Sequence, residues 1–458
     1  ASTLRLLGSE TVTGTFDDAT GTIDYDGTGI YSSLVAGYVY HNLTISQAGS
    51  YTLDDDLTVT NILKISVAGG LLSLDGHGLA MTDISGNVDN EGTIRLIGDE
   101  VVSNFHNDLT SGTIEYVGSG SYALLKLGND YYNLTFAGTG TYSPDATLAI
   151  INDLRINSGT LFMNGQGLTM PLLGTHFYNN GTLKLLGGEA LANFVNDTDS
   201  GTVEYALDQD RTGLNGHNDY YNLKFTGAFK ETLNAALDVN HDLTVSAGTL
   251  ECGTNAVTIG GSFTNSASVT TTSGTFTFDG TSSGLTITSG GMTYNTIVFD
   301  GVGGVWTLQD DMTSSSTLTI INGTLFANGH TIDLNGANFS MTNNGTLRLI
   351  GNETLDFTRY TAAGTVEYAG SGSTSYPSLN YGNSYYNLAI NSTTGTNTFA
   401  CNGDLSIGND FTITSGTFDL ASHNLTMSGD YSSTGTLRLV GDAIQTLTGF
   451  VNDTNSGT

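Results

Sequence analysis

The sequence predicts an all-β protein that folds as a right-handed parallel β-helix (β-solenoid) of about 20 rungs, each rung being one turn, built from ~90-residue repeats. One observation is a recurring Gly-Thr-Leu-Arg-Leu type of phrase, which begins at Gly92, Gly181, Gly345 and Gly435. A second is the alternation of apolar and polar residues inside each phrase, which is typical of strands with one buried face. A third is a composition rich in Gly and Thr and poor in helix formers.

The composition also limits the function classes. Charged residues make up 12% of the chain, with 12 Lys+Arg against 44 Asp+Glu and a formal net charge of −32. This balance argues against a nucleic-acid partner, because phosphate binding needs Lys/Arg patches. The 38% hydrophobic content is too high for a disordered chain. Since no apolar run approaches the ~20 residues of a membrane helix, we expect no membrane span in this chain.

Each long repeat is divided into similar sub-units of about 20 residues. A second phrase, of the Gly-Thr-Val-Glu-Tyr type, follows the first by 19 or 20 residues and begins at Gly21, Gly112, Gly201 and Gly364. A third, of the Tyr-Asn-Leu type, has its Asn at Asn42, Asn133, Asn222 and Asn387. Gly-rich and Asn-Gly clusters between the phrases supply the turns.

A long repeat of this length also fits tandem immunoglobulin-like β-sandwiches, which remain the alternative fold. The similarity of the sub-units favours stacked rungs, and so does one short repeat whose loss of 19 residues equals one sub-unit. We therefore predict one continuous solenoid over 1–458. Its predicted repeats are 2–91, 92–180, 181–273, 274–344 (one rung short), 345–434 and 435–458 (partial).

Alignment of the first phrase on the second places a cation over an anion at an outward position. In a parallel stack these side chains would lie one strand spacing apart, ~4.8 Å. The short repeat has Thr277 at the acidic position and lacks the basic phrase, so both charges are lost together. The predicted structural ion pairs are Arg5–Asp24, Arg95–Glu115, Lys184–Glu204 and Arg348–Glu367.

Because the polar residues recur with the repeat, no single set of dissimilar catalytic residues stands out, and we expect no enzyme activity. Two Asp clusters precede equivalent strands, and clustered carboxylates can hold Ca²⁺ through oxygen ligands. The alternative is a solvated acidic turn, and no other cofactor is expected. The metal candidates are Asp54, Asp55, Asp56, Asp310 and Asp311.

Asn-x-Ser/Thr sequons are no more frequent than the Asn and Ser/Thr content predicts, so they permit glycosylation without indicating it. The candidate acceptors are Asn42, Asn133, Asn196 and Asn424.

The phrases Gly-Thr-Leu-Arg-Leu, Tyr-Tyr-Asn-Leu-Thr-Phe and Asp-Leu-Thr-Val resemble those of large secreted bacterial β-solenoid surface repeat proteins, in the style of filamentous-haemagglutinin-like adhesins and autotransporter passengers. The likeness covers the whole chain and is one of repeat style. It implies a right-handed parallel β-helix, a cell-surface location and an adhesive or scaffold role.

The leading hypothesis is therefore an extracellular, cell-surface structural protein that forms a rigid rod, surface fibre or filament. The alternatives are an adhesin that binds glycan or a host surface through one solenoid face, and a polysaccharide-degrading β-helix enzyme or phage tailspike. Expected partners are other copies end to end, or the rest of a longer repeat array, with surface glycans as a further candidate. The last basic phrase has no acidic phrase after it, so we also expect Arg438 to have no acidic partner in the chain.

Overall fold

The computed structural model describes residues 2–13, 19–82, 87–170, 176–335, 339, 341–441 and 443–451. These residues contain strands and turns but no helix, and every strand pair in the ladders is parallel. Immunoglobulin-like sandwiches are antiparallel, so that alternative is wrong. The β-solenoid prediction is confirmed, with about 21 turns. The chain divides into two compact units, 1–208 with 214–217, and 209–213 with 218–458.

Each turn of the first unit visits three faces in order. The first face contains Thr3–Leu6, Thr22–Tyr25, the second parts of Val39–Ile45 and Leu57–Ile65, Asn87–Asn90, Asp130–Tyr131, Leu148–Ile150, Leu168–Thr169 and Leu191–Ala192. The second contains Ile30–Tyr31, Ser50–Thr52, Leu71–Ser73, Thr93–Leu96, Thr113–Tyr116, Asn133–Phe136, Asp153–Ile156 and His176–Asn179. The third contains the first parts of Val39–Ile45 and Leu57–Ile65, then Leu79–Met81, Val102–Ser103, Ser121–Tyr122, Thr141–Tyr142, Thr160–Phe162, Thr182–Leu185 and Thr202–Tyr205.

The second unit also has three faces, numbered here for that unit alone. The first contains Arg211–Thr212, Lys230–Thr232, Thr249–Gly253, Ser268–Thr271, Thr293–Tyr294, Met312–Ser314, Ile332–Asp333, Leu355–Asp356, Ser375–Tyr376, Thr398–Ala400, Thr417–Asp419 and Thr436–Arg438. The second contains Asp219–Tyr220, Leu237–Val239, Val257–Ile259, Thr275–Phe278, the first parts of Thr296–Leu308 and Leu318–Phe326, Met341–Asn343, Ser384–Tyr385, Leu405–Ile407, Leu425–Met427 and Leu447–Thr448. The third contains Asn222–Phe225, Leu243–Val245, Phe263–Asn265, Leu285–Thr288, the second parts of Thr296–Leu308 and Leu318–Phe326, Thr346–Leu349, Thr365–Tyr368, Asn387–Asn391, Phe411–Ser415 and Tyr431–Ser433.

The alternation seen in the sequence produces the core of each unit. In Thr113–Tyr116, Ile114 and Tyr116 are buried while Thr113 and Glu115 are half-exposed. Strands of successive turns stack with apolar residues in register, as Leu134 does on Ile114. The interior is therefore a set of apolar and aromatic columns, and the outward positions form polar columns along each face.

The repeat does not contain a whole number of turns. In the first unit the strand of the basic phrase lies on the first face at Thr3–Leu6, on the second at Thr93–Leu96 and on the third at Thr182–Leu185. Four full turns along the first face lead from Thr3–Leu6 to Asn87–Asn90, and the next strand, Thr93–Leu96, lies one face further on. One repeat therefore covers about four and a third turns, and each repeat moves its features to the next face.

The second unit repeats this advance and explains the short repeat. Thr346–Leu349 lies on its third face, and Thr436–Arg438, one repeat later, lies on its first. In the short repeat, Phe263–Asn265 has its counterpart in Met341–Asn343. The chain advances two faces from Phe263–Asn265 to Thr275–Phe278, and then three full turns along that face to Met341–Asn343. The expected loss of one whole rung is therefore wrong: the missing segment spans two of the three faces of a turn.

Candidate functional site: the polar contacts between turns

We call the strands of the first phrase the basic strands and those of the second phrase the acidic strands. Four of the basic strands lie directly against the acidic strand of the next turn, with cation and anion in register. The nitrogen–oxygen distances are 3.0 Å for Arg5–Asp24, 2.7 Å for Arg95–Glu115, 2.8 Å for Lys184–Glu204 and 3.0 Å for Arg348–Glu367. The acidic partners are the more buried of each pair, which places these contacts in the wall of the solenoid.

Further cations are held in the same way. Lys64 pairs in register with Asp89, and Lys230 Nζ lies 2.9 Å from Glu251 Oε2. The expectation that Arg438 has no partner is wrong, because its Nε donates to Asp419 Oδ2 at 2.9 Å on the preceding turn. The order of the basic and acidic phrases predicts a partner only on the following turn, whereas Asp419 lies on the preceding one.

A glutamate that the sequence reasoning missed lies at the corner after each of four basic strands. Its carboxylate is buried at Glu100, Glu189 and Glu353 and half-exposed at Glu10. Glu100 is fully buried, and its carboxylate accepts the backbone N–H groups of Ile97 and Gly98 at 2.6 and 2.7 Å. It also accepts the N–H of Gly76 on the preceding turn at 3.2 Å. Gly98 has φ +120°, a conformation open to glycine. The signal was available, since a Glu follows the cation by five residues at Glu10, Glu100, Glu189 and Glu353.

We call the segments 97–112, 186–201 and 350–364, between a basic and an acidic strand, the clamp loops. Asp108 Oδ2 accepts the N–H of Asn90 on the turn below at 2.9 Å. On the turn above, Asn107 Nδ2 donates to the carbonyls of Leu127 and Asp130, both at 2.7 Å. Each side of this clamp loop is therefore fastened to a neighbouring turn.

A buried tyrosine pair joins the acidic strand to the turn that follows it. The Tyr116 and Tyr131 hydroxyls lie 3.3 Å apart, and Tyr131 donates to the Gly128 carbonyl at 2.6 Å. The Leu127 N–H donates to the Tyr116 hydroxyl at 3.3 Å. Burial raises the pKa of Tyr116 to about 12. The same hydroxyl contact recurs in Tyr25–Tyr40 and Tyr368–Tyr385.

One buried column departs from the repeat. Tyr122 and Tyr142 stack on adjacent turns with ring centroids 5.0 Å apart, as their counterparts do in two other repeats. In the second unit Arg211 and Glu231 occupy these positions in register. Glu231 is 1% exposed, and burial raises the pKa of its carboxyl to about 7, although the Gly213 N–H and Arg211 act in the opposite direction.

Four of the five aspartates predicted as metal ligands accept backbone N–H groups: Asp56 and Asp311 from the following turn, Asp310 from the preceding turn, and Asp55 from the residue beside it. Asp56 Oδ1 accepts the Gly78 N–H at 2.6 Å, and Asp311 Oδ1 accepts the Thr331 N–H at 2.8 Å. The Asp310 carboxylate accepts the N–H groups of Ser289 and Gly290, both at 2.6 Å, while Asp55 accepts from Asp56 and Asp54 lies exposed beside them. Among the described residues no three His, Cys, Asp or Glu side chains are grouped to hold a metal.

The predicted glycosylation acceptors are Asn42, Asn133, Asn196 and Asn424. The amide nitrogen of each donates a hydrogen bond to a neighbouring turn. Asn133 Nδ2 donates to the Gly112 carbonyl at 2.8 Å, and its Oδ1 accepts from Asn152. A glycan on these nitrogens would compete with those contacts, most strongly at Asn196, which is 8% exposed. Glycosylation stays a prediction.

No protein family, curated protein or solved structure matches this chain. The likeness to secreted bacterial surface proteins is therefore supported only at the level of a repetitive β-solenoid. In the part of the chain that the structure describes, no helix has the length and apolarity to cross a membrane.

Proposed function

We propose that this chain is a non-enzymatic, extracellular structural protein whose solenoid serves as a rigid rod within a surface fibre or filament. The observation that carries the proposal is the direction of the recurring polar contacts. The ion pairs, the corners where a glutamate accepts the N–H of the glycine two residues before it (the Gly-x-Glu corners) and the clamp loops each join one turn to the next. Repeated cohesion along one direction is what a load-bearing element requires.

The chemistry of the repeats supports this role over a site-specific one. Each contact type occurs in several repeats at equivalent positions, as the Glu carboxylate does at Glu100, Glu189 and Glu353. A reacting centre needs dissimilar groups that converge once. The contacts described above are instead shared among repeats, so the loss of one would weaken the wall locally.

An extracellular location fits the surface chemistry. The excess of 32 acidic charges keeps chains apart in solution and is screened by salt. For assembly we propose head-to-tail addition of copies, or continuation in a longer repeat array. Adding a turn to a parallel ladder extends the same backbone hydrogen bonds, and a contact of that kind does not close on itself.

Sedimentation velocity of the purified 458-residue chain over a concentration series, with negative-stain imaging of the same samples, tests the assembly. We expect larger species to appear with concentration and to be seen as filaments of constant width. Salt should promote the growth because it screens the acidic charge. A single monomeric species at every concentration and salt level would contradict self-assembly.

A further inference from the structure

The clamp loops of three repeats place a phenylalanine at the same position, at Phe105, Phe194 and Phe357. In two of these repeats a side chain donates to the carbonyl of that phenylalanine. Arg359 Nη1 donates to Phe357 O at 2.7 Å, and His217 Nε2 contacts Phe194 O at 2.6 Å. The carbonyl of this phenylalanine is therefore a hydrogen-bond acceptor, and in two repeats a side chain of the chain itself binds it. We call the surroundings of each of these carbonyls the phenylalanine corner.

Arg359 shows what the corner can hold. Its guanidinium lies 4.6 Å from the ring centroid of Phe357 and 5.3 Å from that of Tyr381. It also donates to the carbonyls of Leu355 and Tyr381, both at 2.9 Å, and to that of Asn380 at 3.3 Å. Aromatic rings and a rim of carbonyl oxygens suit a planar cation that carries several donors.

The corner at Phe105 lacks both internal donors. The counterpart of Arg359 is Asn107, whose amide is bound to the Leu127 and Asp130 carbonyls. The counterpart of His217 is Gly128, and a Cβ added there would meet nothing within 4 Å. None of the described residues donates a hydrogen bond to the Phe105 carbonyl. Phe105 is half-buried, whereas Phe357 is 6% exposed.

The space left by the missing side chains is an open groove. Its volume is about 240 Å³, and its lining includes Phe105, His106, Leu127 and Asp130. Asp130 is exposed at the rim, and Asp145 accepts a hydrogen bond from the adjacent Asn129 at 2.7 Å. These two carboxylates attract a cation to the groove.

We propose that this groove binds the guanidinium group of an arginine side chain presented by a partner protein. The arginine would occupy the place that Arg359 takes in the homologous corner, with its plane on Phe105 and a donor on the Phe105 carbonyl. This goes beyond a structural role, because it gives the solenoid a specific attachment point. Arginine is favoured over lysine because only guanidinium combines a stacking plane with several fixed donors.

A titration with N-acetyl-arginine amide, followed by backbone amide NMR, tests the proposal on the full chain. We expect saturable shifts at His106, Gly128 and Asn129, weaker ones with N-acetyl-lysine amide, and none with N-acetyl-citrulline amide, the neutral isostere. Phe105→Leu should weaken the affinity roughly five-fold, because the cation–π contact is lost. Equal binding of the citrulline probe, or shifts spread over the acidic surface, would overturn the proposal.

Two variants exchange the properties of the homologous corners. Asn107→Arg should fill the groove from within and abolish the shifts, and Arg359→Asn should create a second groove that binds the arginine probe beside Phe357. Gly128→His should close the groove as His217 does in its own repeat, since Gly128 has a φ of +85° and His217 one of +69°. This variant replaces Asn107→Arg in the test if the latter does not fold. Persistence of the shifts in a folded, closed variant would refute the site.

Discussion

Position 231 lies on the inward side of its strand, and its counterparts in other repeats carry the aromatic rings of Tyr51, Tyr142 and Phe399. A glutamate there costs free energy whenever it is ionised, because burial opposes charge. Its in-register neighbour Arg211 is the counterpart of Tyr122. The two residues of a stacked aromatic pair have therefore been replaced together.

The raised pKa of Glu231 predicts a stability that depends on pH. In the unfolded chain the carboxyl loses its proton near pH 4.5, whereas in the folded chain it does so near 7. Between these values the unfolded state is favoured as pH rises, so the free energy of unfolding should fall by at most about 3 kcal/mol. Glu231→Gln should remove this dependence.

Thiol labelling in urea provides the measurement. Cys252 and Cys401 are both buried and free, and burial raises the pKa of their thiols to about 12 and about 11. Cys252 lies on the strand next to Glu231, so its labelling rate, normalised to the unfolded chain, should rise with pH in the native sequence alone. Cys401 is the internal control. The same pH response in Glu231→Gln would assign the effect to another group.

Sequence reasoning at the residue scale succeeded where two residues are related by one turn. Arg95 and Glu115 could be paired because outward residues of parallel strands stack in register. Glu100 was not recognised, because its partners are backbone N–H groups, which no residue type reveals. Arg359 and Glu231 interrupt the repeat, and a repeat-based alignment treats such departures as noise.

At the scale of the element, the stacked charges should be coupled. Arg95→Glu places two carboxylates in contact and should destabilise the solenoid modestly, and adding Glu115→Arg should restore most of the loss. Because Arg95 is 37% exposed, the coupling should be about 0.5–1 kcal/mol in urea unfolding. The matched control combines Arg95→Glu with Glu204→Arg, which lies in another repeat and should be additive. Equal coupling in both cycles would contradict a contact between the stacked side chains.

The Gly-x-Glu corner should contribute more than the exposed pairs. Glu100→Gln leaves an amide group facing buried N–H donors, and we expect a loss of about 3 kcal/mol in urea unfolding. Amide exchange at Ile97 and Gly98 should accelerate with it. An unchanged exchange rate at these two amides would show that the carboxylate does not hold the corner.

Glu10→Gln is the equivalent variant at the Gly-x-Glu corner of the first repeat, and its effect on stability should depend on pH. Glu10 accepts the N–H groups of Leu7 and Gly8, both at 2.8 Å, and these bonds lower its pKa below 4.5. Its contribution is therefore present above pH 4.5 and is lost as the pH falls through the lowered value. Native chain and variant should converge in stability in strong acid and differ at neutral pH.

At the scale of the whole chain, the parallel solenoid followed from repetition, because similar sub-units of one length can stack and bury a continuous core. The phase of the repeat, that is, the fraction of a turn by which each repeat is displaced from the last, did not follow from the sequence. A period of about 90 residues with sub-units of about 20 predicts a whole number of turns, whereas the strands show that about a third of a turn remains. Turn length varies by a few residues with each corner, so sequence spacing alone could not resolve a third of a turn.

The phase predicts which deletions the solenoid tolerates. A variant that lacks residues 93–181 joins Gly92 to Thr182, which restores a Gly-Thr phrase at the junction. Lys184 would then take the place of Arg95 above Ser73, with Glu204 on the next turn. Every later strand moves back by one face, but it still stacks on the same strands of the preceding and following turns. We therefore expect the variant to fold.

Amide exchange of Leu74 reports the junction, because its N–H donates to the Arg95 carbonyl at 2.9 Å, as Met163 donates to Lys184. This amide should stay protected when residues 93–181 are removed. The control lacks residues 93–191, which is out of phase by about half a turn and brings a clamp loop against Leu74. The control should lose that protection and become sensitive to proteases. Equal protection in the two variants would show that the solenoid closes on any length, and loss in both would show that the repeat is not the unit that can be removed.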